Sequence, residues 1–362
     1  MFDVLVVGAG ITGITLAERY SSQGKTVLLI EKRSHIGGNC YDYRNKTGHL
    51  IHKYGPHIFH TSNDSVWKYL SMFTGWNDYK HIVKSFVNGK LYDFPINLNT
   101  INEVFGLNCD EKSLKFFLEK ERIPISKPKN AKEVVESQVG SKLYNLFFEQ
   151  YTRKHWGIDP SELDAEVCGR IKIRTNNNPY YFLDKYQGLP SQGYTKMFEK
   201  MLANEKVKIL LNTEFKDLND DVTFKYLIYT GPIDEFFDKR FGSLPYRSLR
   251  LEFETLNSDK FQDYAVVNYP GSEKYTRITE FKHMTYEDAR GTTILKEYPS
   301  SDGPEFYPVL TRDSNLKLKR YLRESLNLKN VFFMGRLGLF KYINIDEAVA
   351  QSLDFVENHS LD

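Results

Sequence analysis

The chain has 362 residues, enough for two or three domains at roughly 150 residues each, and its 49 Lys and Arg against 47 Asp and Glu leave a formal net charge of +2. That balance gives no support to nucleic-acid binding, which ordinarily shows a clear basic excess, and 41% hydrophobic with 27% charged residues exclude disorder over the bulk of the chain. With 25 Phe, 24 Tyr and 3 Trp the chain is rich in rings, which either fill a core or, for some tyrosines, line a polar site through the hydroxyl.

The opening run Val4-Leu5-Val6-Val7 is continuously apolar, as expected of a strand buried on both faces. No basic leader precedes it and Asp3 interrupts it, so it reads as a strand rather than a signal peptide. Gly8-Ala9-Gly10-Ile11-Thr12-Gly13 follows, then a helical pattern up to a capping Gly24, then a second apolar strand, Thr26–Ile30, ending in Glu31. Glycines at this spacing allow the tight turn and let backbone N–H groups approach a pyrophosphate at a helix N-terminus, while the acid accepts hydrogen bonds from ribose hydroxyls. This is the pattern of a dinucleotide-binding unit. The further glycine pair in Gly37-Gly38-Asn39 is seldom needed for NAD and matches an extended fingerprint of FAD-binding proteins of the glutathione-reductase type.

Residues 100–156 read as helices, interrupted by a loop around Pro124 and Pro128. Val139, Leu143, Phe147 and Tyr151 recur every four residues and share a face, with Thr152 and Trp156 on a neighbouring stripe; periodicity alone equally allows a bundle core. From 167 to 186 and from 246 to 298 the pattern alternates. It predicts strands with Arg170, Lys172 and Arg174 on one face and, later, Tyr275, Arg277 and Thr279 on another, either solvated or lining a site. Tyr226–Gly231 and Val331–Arg336 read as strands returning to the first domain, and a helix runs from about Asp346 with Ala348, Val349 and Leu353 inward. Lys317, Lys319, Arg320 and Arg323 read as a solvated helix face. Cys40, Cys109 and Cys168 are too far apart for a metal or redox pair, and no apolar run reaches the ~18 residues of a membrane span. A reducing cytoplasm is the expected compartment, with neither nucleic acid nor membrane as partner.

Four stretches taken together resemble one family. The glycine fingerprint, the loop Tyr54-Gly55-Pro56-His57-Ile58-Phe59-His60-Thr61, the run Phe147 to Trp156 and the tail Gly335-Arg336-Leu337-Gly338 look like UDP-galactopyranose mutases of the bacterial type. Flavin amine oxidases share only the fingerprint. The resemblance spans essentially the whole chain and implies an α/β fold with inserted α and β parts. A Rossmann-like FAD-binding domain of glutathione-reductase type (1–80, 187–245 and 311–362) would carry a helical-bundle insertion (98–165) and an antiparallel-sheet domain (81–97, 166–186 and 246–310). It further implies a cytoplasmic homodimer that makes galactofuranose for cell-surface glycans.

The implied chemistry is a non-redox use of FAD, active in its reduced form. Flavin N5 attacks the anomeric carbon of UDP-galactopyranose, UDP leaves, and the sugar recloses as the furanose before UDP returns. A reductant such as NAD(P)H or a reductase keeps the flavin reduced. The resemblance assigns Arg170 and Arg277 to the UDP pyrophosphate, whose charge must be neutralised as the bond breaks, and His60 to a place beside the flavin, the three forming the catalytic group. Phe147, Tyr151, Thr152 and Trp156 match a uridine and lid-side wall, and Tyr181, Asn268, Tyr307 and Tyr342 match residues contacting the UDP-sugar. Gly8, Gly10, Thr12, Gly13, Glu31, Lys32, Gly38, Asn39, His57, Ile58, Arg336, Ile345 and Asp346 would hold the cofactor. No metal is expected, since His57 and His60 lack an accompanying thiolate or carboxylate cluster.

Two positions depart from the family pattern. Asn344 stands where many members carry an acid, and His81 where members often have asparagine. Either could tune tolerance at sugar C2, which keeps UDP-N-acetylgalactosamine open as a substrate. An amine oxidase-like oxidoreductase and a nucleotide-binding protein without chemistry are the readings from other classes.

Overall fold

The computed structural model describes residues 1–169, 172–219, 221–359 and 361. Backbone packing divides the chain into two units: Met1–Tyr79 with Asp184–Pro245 and Leu316–Asp362, and Lys80–Leu183 with Tyr246–Asn315. The first is built on five parallel strands in the order Val331–Phe333, Phe224–Tyr229, Phe2–Val7, Val27–Ile30 and Val207–Leu210. The central strands are continuous apolar runs because both of their faces are covered, and Val4, Leu5, Val6 and Leu29 are wholly buried. Helix Ile11–Ser22 follows the first strand and stops before Gly24, whose φ of +86° turns the chain back. It packs against the C-terminal helix Ile345–Asn358. A short antiparallel pair, Phe59–Thr61 with Tyr186–Gly188, belongs to the same unit.

The second unit carries a seven-stranded sheet in the order Tyr307–Pro308, Tyr246–Leu256, Thr292–Ser300, Arg277–Glu280, Val266–Asn268, Val83–Val87 and Lys90–Phe94. All neighbours are antiparallel except Val266–Asn268 with Val83–Val87, which run parallel. The same unit holds helices Leu98–Phe105, Glu111–Glu121, Ala131–Leu143, Gln150–Trp156 and Glu166–Gly169. Asn97, Asp110 and Asn130 cap the first three of these with side-chain oxygens, satisfying amides that a helix start leaves open.

Two expectations are corrected here. The four-residue spacing from Val139 to Tyr151 suggests one continuous helix, but Gly140 breaks it with φ +75° and residues Tyr144–Glu149 form a π-turn before Gln150–Trp156 resumes. Gly140 is required: a Cβ there would meet the Glu121 carbonyl oxygen at 2.2 Å. The alternating stretch after 167 is likewise not a strand in its described residues. Glu166–Gly169 is a helical turn, and Lys172, Ile173 and Arg174 belong to no strand. Arg174 instead turns inward and donates to the carbonyl oxygens of Asn178 (3.2 Å), Tyr181 (2.8 Å) and Tyr180, closing the chain on itself where a sheet ladder would need it extended. Arg170, with Ile171, lies outside the described residues.

Candidate functional site

The nucleotide cradle is made by backbone. Gly8 takes φ +99°, and a Cβ on Gly13 would lie 1.9 Å from the Gly8 carbonyl oxygen, so helix and turn approach as only glycine permits. Gly10 is the helix N-cap, and no side chain caps that end or places an acid in its first turn. Its amide dipoles therefore face outward with a positive end suited to a diphosphate. The second glycine pair folds onto this loop: Gly37 donates its N–H to the Ala9 carbonyl at 2.8 Å, and a Cβ on Gly38 would come within 2.9 Å of Gly10 Cα.

Glu31 is buried, and its carboxylate accepts from the amides of Ala9 (2.8 Å) and Arg33 (2.9 Å). Each oxygen keeps a further lone pair, so it locks the turn and can still take ribose hydroxyls. Arg33 also donates to the Asn39 side chain at 3.0 Å, while Lys32 is exposed. The opposite wall comes from the tail. A Cβ at Gly335 would meet Thr12 Oγ1 at 2.9 Å, which sets Arg336 beside the fingerprint. Arg336 donates to the Ile343 carbonyl at 2.9 Å and lies over the Tyr342 ring at 4.8 Å.

Ile345 and Asp346 open the C-terminal helix. Asn344 is its N-cap, with the Glu347 carboxylate accepting its backbone N–H at 2.6 Å. Burial pushes the Asp346 carboxyl above its ordinary value against the pull of Thr61 and His60. His60 directs Nδ1 to Asp184 at 2.9 Å, which orients the ring. His57 and Ile58 precede it, the His57 amide donating to His52 Nδ1 at 3.0 Å.

The second unit gathers a different set. Arg277 starts its strand opposite Asn268 on one side and Glu297 on the other. Its guanidinium is 3.1 Å from the Glu297 carboxylate, with side-chain exposures of 24% and 1%, so a presented cation sits on a buried anion. Burial works against the Arg277 charge, but the Glu297 carboxylate outweighs it and holds the group ionised, with the neutral phenols of Tyr151, Tyr307 and Tyr181 nearby. Burial raises Glu297, with Arg277 opposing.

Helix Gln150–Trp156 completes this wall. Its His155 ring lies 5.0 Å from Tyr307 and 6.1 Å from Tyr151, and Trp156 is edge-on to Tyr307. Thr152 is buried against Cys168 Sγ at 4.0 Å. Phe147 is only 2% exposed and packs edge-on against Tyr92, which makes it support for the wall rather than surface. His81 is buried too, stacked on Phe182 and beside Tyr181, whose N–H its carbonyl accepts at 2.7 Å.

The structure thus brings Tyr151, Tyr181, Tyr307, Asn268 and Trp156 around Arg277, whereas Tyr342 and His60 stand in the first unit with the nucleotide cradle. Sequence reasoning missed Glu297, Asp184, His155, Lys154 and Arg247. Lys154 and His155 lie inside the run Phe147 to Trp156 but outside the set of residues singled out from it, and the other three belong to no motif; Asp184, for example, reaches His60 across 124 residues.

The UDP-galactopyranose mutase family model matches residues 146–342, and that of the NAD(P)-binding Rossmann-like domain matches residues 6–73. A probable UDP-galactopyranose mutase of Klebsiella pneumoniae is 38% identical, over 97% of this chain and 93% of its own. A dTDP-fucopyranose mutase of Escherichia coli is 33% identical, over 98% and 97% respectively. Among solved structures, a reduced UDP-galactopyranose mutase matches with a TM-score of 0.79 at 17% identity, covering 100% of this chain and 97% of that one. With a Rossmann-like nucleotide-binding unit and full-length likeness to these enzymes, the chain belongs to the UDP-galactopyranose mutase family and is an isomerase that contracts a sugar ring.

Proposed function

We propose that the chain interconverts UDP-galactopyranose and UDP-galactofuranose with reduced FAD. The observation that carries this reading is Arg277, an ionised guanidinium 24% exposed above a buried carboxylate and ringed by three tyrosines. A sugar diphosphate that leaves and returns needs a fixed cation whose own position does not relax as charge develops. Glu297 supplies that fixity from below, and Asn268, paired with Arg277 in register, adds an amide beside it. Tyr151, Tyr181 and Tyr307 add hydroxyl donors and flat ring faces that suit a base and a sugar.

The cradle fits FAD: bare glycine backbone, an uncapped helix start for the pyrophosphate, Glu31 with lone pairs left for the ribose, and Arg336 against the fingerprint. When bound, the reduced flavin supplies the nucleophile for the anomeric carbon. His60, held by Asp184, and the N-terminus of helix Ile345–Asn358 would line the ring. Asn344 caps that helix, a role in which a neutral amide serves as well as an acid.

A thymidine-diphosphate sugar is the second reading, favoured by the full coverage of the E. coli dTDP-fucopyranose mutase. Anaerobic assay of the dithionite-reduced holoenzyme with UDP-galactofuranose, its N-acetyl counterpart and dTDP-fucofuranose tests all three. A pyranose product of unchanged mass from UDP-galactofuranose is expected. Turnover of dTDP-fucofuranose alone would replace the substrate, and a product lighter by two hydrogens would replace the reaction.

A further inference from the structure

We propose that Lys154 is a positioning residue that sets the Arg277 wall, acting as a built-in cation in a cup of backbone carbonyls. Its ammonium donates to the carbonyl oxygens of Tyr269 (2.7 Å), Gly271 (2.9 Å), Glu273 (2.8 Å) and Tyr275 (3.3 Å). Three N–H donors serve four acceptors, so one hydrogen is shared and the head is fully engaged. A lysine so placed does not reach out to a ligand. It gathers one loop.

That loop has a definite position in the wall. Asn268 and Arg277 are register partners, and the chain between them closes with the Tyr269 N–H on the Thr276 carbonyl at 2.8 Å. Residues 269–276 are thus the turn that joins the two strands bearing Asn268 and Arg277. Lys154 comes from helix Gln150–Trp156, which bears Tyr151, Thr152 and Trp156. Its four bonds therefore couple the helix to the hairpin.

A second cation moors the other side of the helix. Arg247 donates to the carbonyls of His155 (3.0 Å) and Lys154 (3.4 Å) at the helix end, and Arg247 is the register partner of Tyr307. The helix is tied by one cation to strand Tyr246–Leu256, the neighbour of Tyr307, and by the other to the Asn268–Arg277 hairpin. Carbonyl oxygens crowded at one point repel each other unless a charge sits among them. Without the ammonium the hairpin loses its reason to turn inward, and Arg277 loses its alignment with Tyr151 and Trp156. Burial lowers the Lys154 pKa while Glu273 opposes the shift, in keeping with a head drawn out of water.

The inference rests on the reading of Arg277 as the diphosphate site. The test uses the full-length flavin-loaded enzyme, its parent assayed first with UDP-galactofuranose and by UDP titration; a parent that neither turns over nor binds UDP overturns that reading, whatever Lys154 does. Given an active parent, Lys154→Ala is expected to keep the flavin spectrum, to raise KM and the UDP dissociation constant about tenfold, and to lower kcat by a smaller factor, since a displaced Arg277 holds the diphosphate less well in the bound state and in the leaving state alike. Potassium or ammonium ions, which fit a carbonyl cup, are expected to recover most of the affinity in the variant and none in the parent, with tetramethylammonium inactive in both.

Lys154→Arg covers the case in which the alanine variant does not fold. It keeps the charge, but a planar fork cannot address four convergent carbonyls, so a several-fold rise in KM with kcat nearly unchanged is expected. Parental KM in whichever variant folds, or equal loss of kcat and flavin without cation rescue, would overturn the proposal.

Discussion

At the scale of single residues, the wall turns on how Arg277 is held. Replacing it by alanine would strand Glu297, 1% exposed, as a buried charge without its partner, and that cost alone runs to about 3–5 kcal/mol. Arg277→Lys is the cleaner probe, because it keeps a positive charge over Glu297 and removes the planar fork that grips a diphosphate in two places. The variant is expected to fold, to hold flavin as the parent does, and to lose about 10²-fold in kcat/KM, the usual size for a misplaced electrostatic donor. Kinetics within threefold of the parent would mean that the guanidinium does not meet the diphosphate.

His81 illustrates the opposite case. Its ring is buried against Phe182 and Tyr181, so a departure from the family pattern that suggests a change in the sugar contact is, at the level of contacts, a change in what supports Tyr181.

At the scale of elements, the fingerprint separates sterics from ligand binding in a way that can be measured. Gly13 is needed by the protein itself, since a Cβ there would strike the Gly8 carbonyl at 1.9 Å. Gly10 is different: its φ is −78°, and a Cβ there would meet nothing within 4 Å. Alanine at this N-cap costs the helix only about 0.5–1 kcal/mol relative to glycine. Gly10→Ala should therefore fold with a melting temperature close to that of the parent, yet bind FAD at least tenfold more weakly, because the added methyl occupies the approach to the helix N-terminus. Parental flavin content after dialysis would show that no diphosphate lies there.

The same comparison explains what could be read from the sequence. The turn from Val7 to Gly13 is written in adjacent residues, and its strands are uninterrupted apolar runs, so local pattern is enough. The strand Val207–Leu210 gave no such signal, being only four residues long and half exposed at the sheet edge. Lys172, Ile173 and Arg174 carry a strand pattern without a strand, because Arg174 bonds three carbonyls of the loop that follows, those of Asn178, Tyr180 and Tyr181. The run Val139 to Tyr151 hid its break because four-residue spacing continues across it; the break sits at Gly140, whose φ of +75° and closeness to the Glu121 carbonyl leave no room for a side chain. In the wall, Tyr151, Tyr181 and Tyr307 could be singled out because the family resemblance assigns them, whereas Glu297 and Arg247 belong to no motif, and Lys154, although inside the run Phe147 to Trp156, acts through long-range contacts on which spacing is silent.

For the molecule as a whole, each unit contains a histidine that folding keeps neutral, and this gives the enzyme an acid limit. His52, in the nucleotide unit, is wholly buried, and its Nδ1 accepts the His57 N–H, which only a neutral ring can do; burial lowers its pKa to about 4. His155, in the sheet unit, is 7% exposed, with burial first and then Arg277 and Arg247 lowering it to about 3. In the unfolded chain both titrate near 6.5. Below that pH the unfolded state binds protons that the folded state refuses, so stability falls as pH drops from about 6.5 toward 4 and is fully present above 7. At pH 5 each histidine contributes a loss of about 2 kcal/mol, from roughly 1.4 kcal/mol for each pH unit below its unfolded value. Asp42, Asp234 and Glu297 are raised by burial and titrate in the opposite sense, so the parent's slope alone does not isolate the histidines. A comparison with His155→Gln does, because glutamine fills a similar volume without titrating. Urea midpoints measured at pH 7.5 and pH 5 should fall by less in the variant than in the parent, by the equivalent of about 2 kcal/mol. Parallel slopes would show that His155 is protonated in the folded enzyme after all, and that the cations around it do not keep it neutral.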